Sequence, residues 1–265
     1  VPGRPPRART GDLPFPPRLL PFHYGAVIVL VGSLGMLMSL PGQTGGVSAF
    51  TEDLLALLGV SRVGLSFAYM AGSIGGAVAC AYAGRFYDRY GARVTGAAAA
   101  LVIGLVAAGF SVIDDIAAPA ASFSALHLQF LPAGAAPLIV AAAGFFGLRF
   151  LGQSVIPMVS RSMIAKWYHR KIGTVNSLVS IVFTFGLSIA PVIFHGLLTR
   201  FGYRGAFHAV ALAEGVVFAL LVLVFFRDDP ADCGLAPDGS RSAPDTGDLN
   251  VRGATLAEAV RTRAF

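Results

Sequence analysis

Gly84-Arg-Phe-Tyr-Asp88-Arg89-Tyr-Gly91-Ala-Arg93 is a short charged stretch set between two runs, residues 63–84 and 94–113, that contain no Asp, Glu, Lys or Arg. A helix rises about 1.5 Å per residue, so a run of roughly 20 apolar residues matches a hydrocarbon layer about 30 Å thick. In lipid the backbone must satisfy its own polar groups, which a helix does within one segment. The pattern therefore predicts two antiparallel membrane helices joined by a tight, basic turn. Glycines at 84 and 91 permit that turn, and the Asp88 carboxylate is suited to sit near a helix N-terminus.

Working outward, the same pattern recurs. Six candidate spans cover roughly 23–46, 63–84, 94–113, 135–159, 172–198 and 205–226. The whole chain agrees: of 265 residues, 55% are hydrophobic and only 13% charged, with a mean hydropathy of +0.70. That composition excludes a disordered chain and disfavours a soluble enzyme. The net charge of +6 does not indicate nucleic acid, because the basic residues lie between the apolar runs and form no face mixed with base readers. Cys80, in an apolar run, and Cys233, in a polar segment, suggest neither a disulfide framework nor a zinc site.

Basic residues set the expected orientation. Arg4, Arg7, Arg9 and Arg18 precede the first span, Arg85, Arg89 and Arg93 follow the second, and Arg161, Lys166, Arg170 and Lys171 follow the fourth. Five further arginines come after the sixth, whereas the opposite side holds Arg62, Arg200 and Arg204. Six spans with this bias place both termini in the cytoplasm of a multi-pass protein of the cytoplasmic (inner) membrane. Residues 1–22 then form a cytoplasmic N-terminal tail, 23–226 the transmembrane bundle and 227–265 a cytoplasmic linker, with Val1 to Pro21 and Asp228 to Gly253 flexible by composition. Gly72 and Gly76, and the ladder Gly96, Ala100, Gly104 and Ala108, are small residues at the spacing that lets membrane helices approach closely. Trp167 and Tyr168 are expected as anchors at the membrane interface.

The stretch 84–93 resembles the major facilitator superfamily signature G-x-x-x-D-R-x-G-R/K, with Ala92 in one usually basic place. Phe145-Phe-Gly-Leu-Arg149-Phe-Leu-Gly152-Gln153 is similar to that superfamily's intramembrane arginine-plus-glycine motif, and Phe185-Gly186 to Ala190-Pro191 is a looser version of its fifth-span motif. Phe22-His-Tyr-Gly25 and the segment Arg227 to Gly239 are similar to the oxalate/formate and monocarboxylate-like branch. The resemblance implies an all-α membrane protein whose six transmembrane helices form one half of a major facilitator superfamily fold. It implies a conformational-switch loop made of Gly84, Asp88, Arg89, Gly91 and Arg93. It also implies a partner, the missing C-terminal six-helix half of the same protein, toward which residues 255–265 lead.

Arg149 is the leading site residue. It lies some dozen residues from either end of its span, where an arginine costs roughly 2.5–3.5 kcal/mol on insertion scales. Two compensations are open: a water-filled cavity in which the guanidinium grips an anionic substrate bidentately, or an ion pair with Glu214 of the sixth span. Glu214 is alternatively a proton carrier for symport. Gln153, one turn on, and Ser39 and Gln43 of the first span are further substrate-contact candidates, with plain interhelical hydrogen bonding as the other reading. Ser177, Ser180, Thr184 and Ser188 share one face of the fifth span, either lining a cavity or bonding back to the preceding turn.

The function expected is secondary active transport of a small organic anion, a mono- or dicarboxylate, by alternating access. The alternatives are a half-size self-pairing membrane protein or a transporter-fold sensor. An intramembrane hydrolase lacks its residues: the spans hold no Asp pair, no His-Glu-x-x-His and no Gly-x-Ser-Gly. No cofactor or metal is expected, and the partners are the anion, the lipid bilayer and the second half, with no nucleic acid.

Overall fold

The computed structural model of the chain describes residues 14–127 and 135–239, and among these every regular element is a helix. In chain order they are α1 (Gly25–Met38), α2 (Thr44–Ser48), α3 (Thr51–Leu58), α4 (Arg62–Ser111), α5 (Ile113–His127), α6 (Ala135–Leu148), α7 (Ile156–Trp167), α8 (Ile172–Leu212) and α9 (Ala219–Phe225). A π turn, Arg149–Val155, joins α6 to α7, and a second, Ala213–Phe218, joins α8 to α9. Four helical stretches are long and apolar enough to cross a membrane: Gly25–Gly42, Arg62–Ser111, Ala135–Trp167 and Ile172–Phe225. Among the described residues the protein is thus all-helical, with helices of the length and composition of a membrane protein.

Two of these stretches are long enough for two crossings. At 50 residues, α4 drawn straight would reach about 75 Å. It is broken at Gly91, where φ is 81° and ψ 177°, and α8 is broken in the same way at Gly202, with φ 67° and ψ 178°. Only glycine takes that conformation without cost. The expected loops at 85–93 and 199–204 are therefore helical on both sides of a single glycine. The first span stops earlier than expected: α1 ends at Met38, a 3-10 turn with Pro41 follows, and Gln43 is extended. The fourth runs further, to Trp167.

Small residues fix the packing. A Cβ on Gly72 would lie 2.7 Å from the Phe146 backbone nitrogen, and one on Gly104 would lie 2.4 Å from the Cα of Gly215. The expected close approaches are thus made, α4 to α6 and α4 to the second π turn. At one end of the bundle Phe50 packs among the rings of Phe194, Tyr203 and Phe207 in tilted and edge-on contacts, and Arg204 bridges Asp114 and Asp115 at 2.8 Å each. Arg62 pairs with Glu52 at 2.6 Å on the same side.

The opposite end is closed by a strap, residues 227–239, and here the expectation of flexibility over Asp228 to Gly253 is corrected for residues 228–239, the rest of that segment lying outside the described residues. Arg227 is buried, donating to the Val224 and Phe226 carbonyls at 2.8 Å with its guanidinium over Phe15 and Tyr24. Asp228 accepts from the amides of Ala92 and, at 3.1 Å, Arg93. Asp238 accepts from the amides of His169, Arg170 and Lys171 at 3.1, 2.8 and 3.3 Å. Those amides hold its carboxyl below the usual carboxylate range. Trp167 is also corrected: it is buried rather than interfacial, donating Nε1 to the Arg227 carbonyl at 3.1 Å and packing on Tyr24. Cys233 is buried in the strap. Arg4, Arg7, Arg9 and residues 255–265 lie outside the described residues.

Candidate functional site

The site begins with a crossing of two backbones. A Cβ on Gly42 would lie 2.2 Å from the Leu148 carbonyl oxygen and 2.7 Å from the Cα of Gly152, so both glycines are required where the chain beyond α1 meets the first π turn. Pro157, just after that turn, has no N–H to give to the preceding turn, and its ring crowds the carbonyl four residues back. A π turn relieves both by lengthening the register by one residue. Arg149 is its first residue.

Half-buried, the Arg149 guanidinium is held on one side by the protein. Nε donates to Ser73 Oγ at 3.1 Å, and Nη1 to the Gly42 carbonyl at 3.1 Å and Thr44 Oγ1 at 3.5 Å. Its Cζ lies 5.1 Å from the centre of the Tyr69 ring, whose hydroxyl is 3.1 Å from Thr44 Oγ1. Nη2 has no hydrogen-bond partner among the described residues. The arrangement fixes the group's plane while leaving one edge to meet an anion.

Of the other expected contacts, Gln43 Nε2 donates to the Gly152 carbonyl at 3.3 Å and to Ser39 Oγ at 3.5 Å, and Ser39 is buried, donating to Met36 O at 2.6 Å. Both therefore stand beside Arg149 as supports of the backbone crossing. Gln153 is exposed on the π turn. Thr44, Tyr69 and Ser73 were not anticipated as partners. Their sequence signal is the i, i+4 pair Tyr69 and Ser73 flanking Gly72, a polar row on an otherwise apolar helix.

The Arg149–Glu214 ion pair is not formed. Glu214 lies in the second π turn, 2% exposed, and its Oε2 has no hydrogen-bond partner. On α8, Ser177, Thr184 and Ser188 donate to the carbonyls four residues back at 2.9, 2.8 and 3.0 Å, the local reading of that face.

The switch-loop residues divide into two groups. Gly91, at positive φ, lies against the Asp228 carboxylate, and Arg93 Nε donates to Leu223 O at 2.7 Å. Asp88 and Arg89 are exposed, Arg89 lying over the Tyr90 ring, and Gly84 has open space around it. The carboxylate on the helix N-terminus at Ala92 is thus that of Asp228, not of Asp88. Among the described residues no three His, Cys, Asp or Glu side chains gather as a metal site. No protein-family model matches the chain, and no curated protein or solved structure is significantly similar to it.

Proposed function

We propose that the chain is a six-span bundle of the major facilitator superfamily type that moves a small organic anion, a mono- or dicarboxylate, by alternating access together with a second six-helix half. The observation that carries this reading is Arg149: a membrane-depth guanidinium anchored through Nε and Nη1, with Nη2 unoccupied by protein. A carboxylate seated there would accept from Nη2 and restore the neutrality that no acidic side chain among the described residues supplies. The breaks at Gly91 and Gly202 support the count of six, since the first divides Arg62–Ser111 into residues 62–90 and 92–111 and the second divides Ile172–Phe225 into residues 172–201 and 203–225, each near the length of a single crossing. Gly91, Arg93 and Asp228 would stiffen the half so that it rocks as one body, tying the second-to-third turn to the end of the sixth span. By the charge bias, this tie and the strap lie on the cytoplasmic side.

Binding of labelled acetate and succinate to the whole chain in nanodiscs tests the reading. Arg149→Gln, correctly inserted, is expected to weaken binding roughly 10- to 100-fold, the scale of a hydrogen bond to a charged group. Unchanged affinity would remove Arg149 from the site. Glu214, buried with a free carboxyl oxygen, is the proposed proton carrier. Glu214→Gln is expected to retain anion binding and to abolish its pH dependence in the same nanodiscs.

A further inference from the structure

A cavity of about 340 Å³ opens where α7 and the start of α8 diverge, lined by Arg161, Ser162, Ala165, Asn176, Val179 and Ser180. We propose that it is a second anion station, taking the same carboxylate class as Arg149 on the cytoplasmic side of the bundle; this rests on the transport reading above. Four polar side chains converge on it from two helices: a guanidinium, a carboxamide and two hydroxyls. Arg161, Asn176 and Ser180 are exposed and Ser162 is half-buried, so the four offer donors along the wall of an open recess whose volume falls at the small end of ligand sites, about 300–1,000 Å³.

The charge at Arg161 is uncompensated. Among the described residues it makes neither an ion pair nor a hydrogen bond, although Asp88, Asp228, Asp229, Asp232 and Asp238 all belong to the turn and strap at the same end of the bundle. Asp228 is engaged by the amides of 92 and 93, and Asp238 by those of 169–171. The backbone path links the two arginines. Twelve residues of plain α-helix make about 3.3 turns, which would turn Arg161 away from Arg149. The π turn at Arg149–Val155 takes up about one residue, leaving close to three whole turns and a rise of about 17 Å. The two guanidinium groups therefore fall near one face of the fourth span, one at mid-depth and one at its end. An anion leaving Arg149 along that face meets Arg161 next.

Equilibrium dialysis of radiolabelled succinate against the whole chain, in nanodiscs of zwitterionic lipid, tests this. The native chain is expected to bind two succinates, Arg161→Gln one, and the double variant with Arg149→Gln none. Asn176→Leu, which leaves the charge in place, is expected to weaken the second site about fivefold, the scale of one neutral hydrogen bond. A single site whose isotherm Arg161→Gln leaves unchanged would overturn the station. So would a loss on Arg161→Gln with no effect of Asn176→Leu, since that marks a bare surface charge. If Arg149→Gln alone changes nothing while Arg161→Gln removes all binding, the station stands and the Arg149 reading fails. No binding to the native chain removes both.

Discussion

Among the residues, Asp228 shows how a side chain far along the chain takes a role that local reading gives to a nearer one. Asp88 sits inside the turn motif and is exposed; Asp228, about 136 positions after Ala92, carries the turn's amides. A carboxylate capping free helix amides is worth about 0.5–2 kcal/mol. Asp228→Ala is therefore expected to lower the thermal midpoint in detergent by that free energy, whereas Asp88→Ala stays within about 0.5 kcal/mol of the native chain. Equal effects from both would contradict the assignment. Arg149 was legible as an isolated charge in an apolar run, but its partners were not: hydroxyls and a carbonyl leave no charge pattern to find. Glu214 was equally legible as an isolated charge, yet only the packing of α4 on the second π turn shows that it lacks an ion-pair partner.

At the level of elements, hydropathy located the helices and missed where their backbones depart from α geometry. Both membrane-depth charges lie in π turns. The signal for the first was Pro157; the second, Ala213–Phe218, contains no proline, and its place follows from the contact of Gly215 with Gly104. The strap was misjudged because its Asp, Gly and Pro content is that of a linker, while its order comes from Asp228, Asp238 and the Trp167 contact. Its hold on 169–171 has a definite pH sign. Asp238 has a folded value below its unfolded one, about 3.8. Its contribution is thus present above that unfolded value and lost as pH falls through the lower, folded one. The amide resonances of 169–171 are expected to shift together below about pH 4, and Asp238→Asn to remove that titration while leaving the rest of the spectrum in place.

For the whole molecule, the clustered contacts define two ends: one with the strap, the Gly91 turn and residues 167–171, the other with Arg204, Asp114, Glu52 and Arg62. In a cell membrane, single cysteines introduced at His169 and at Asp53 are expected to react with an impermeant reagent from opposite sides, Asp53 from outside. Labelling of both from one side would break the proposed orientation. Because Trp167 is the chain's one tryptophan and is buried against the strap, its emission reports separation of that end from the bundle.

The sequence by itself determined that this chain is helical and membrane-borne, because apolar length and missing charge act locally, residue by residue. It also singled out Arg149 and Glu214, since a charge within lipid stands out against any background. Which groups meet those charges was decided only by tertiary structure. The crossing of Gly42 over Gly152, the register added by a π turn and the return of Asp228 to Ala92 each depend on helices meeting at angstrom distances, and no periodicity in the chain encodes a distance between elements.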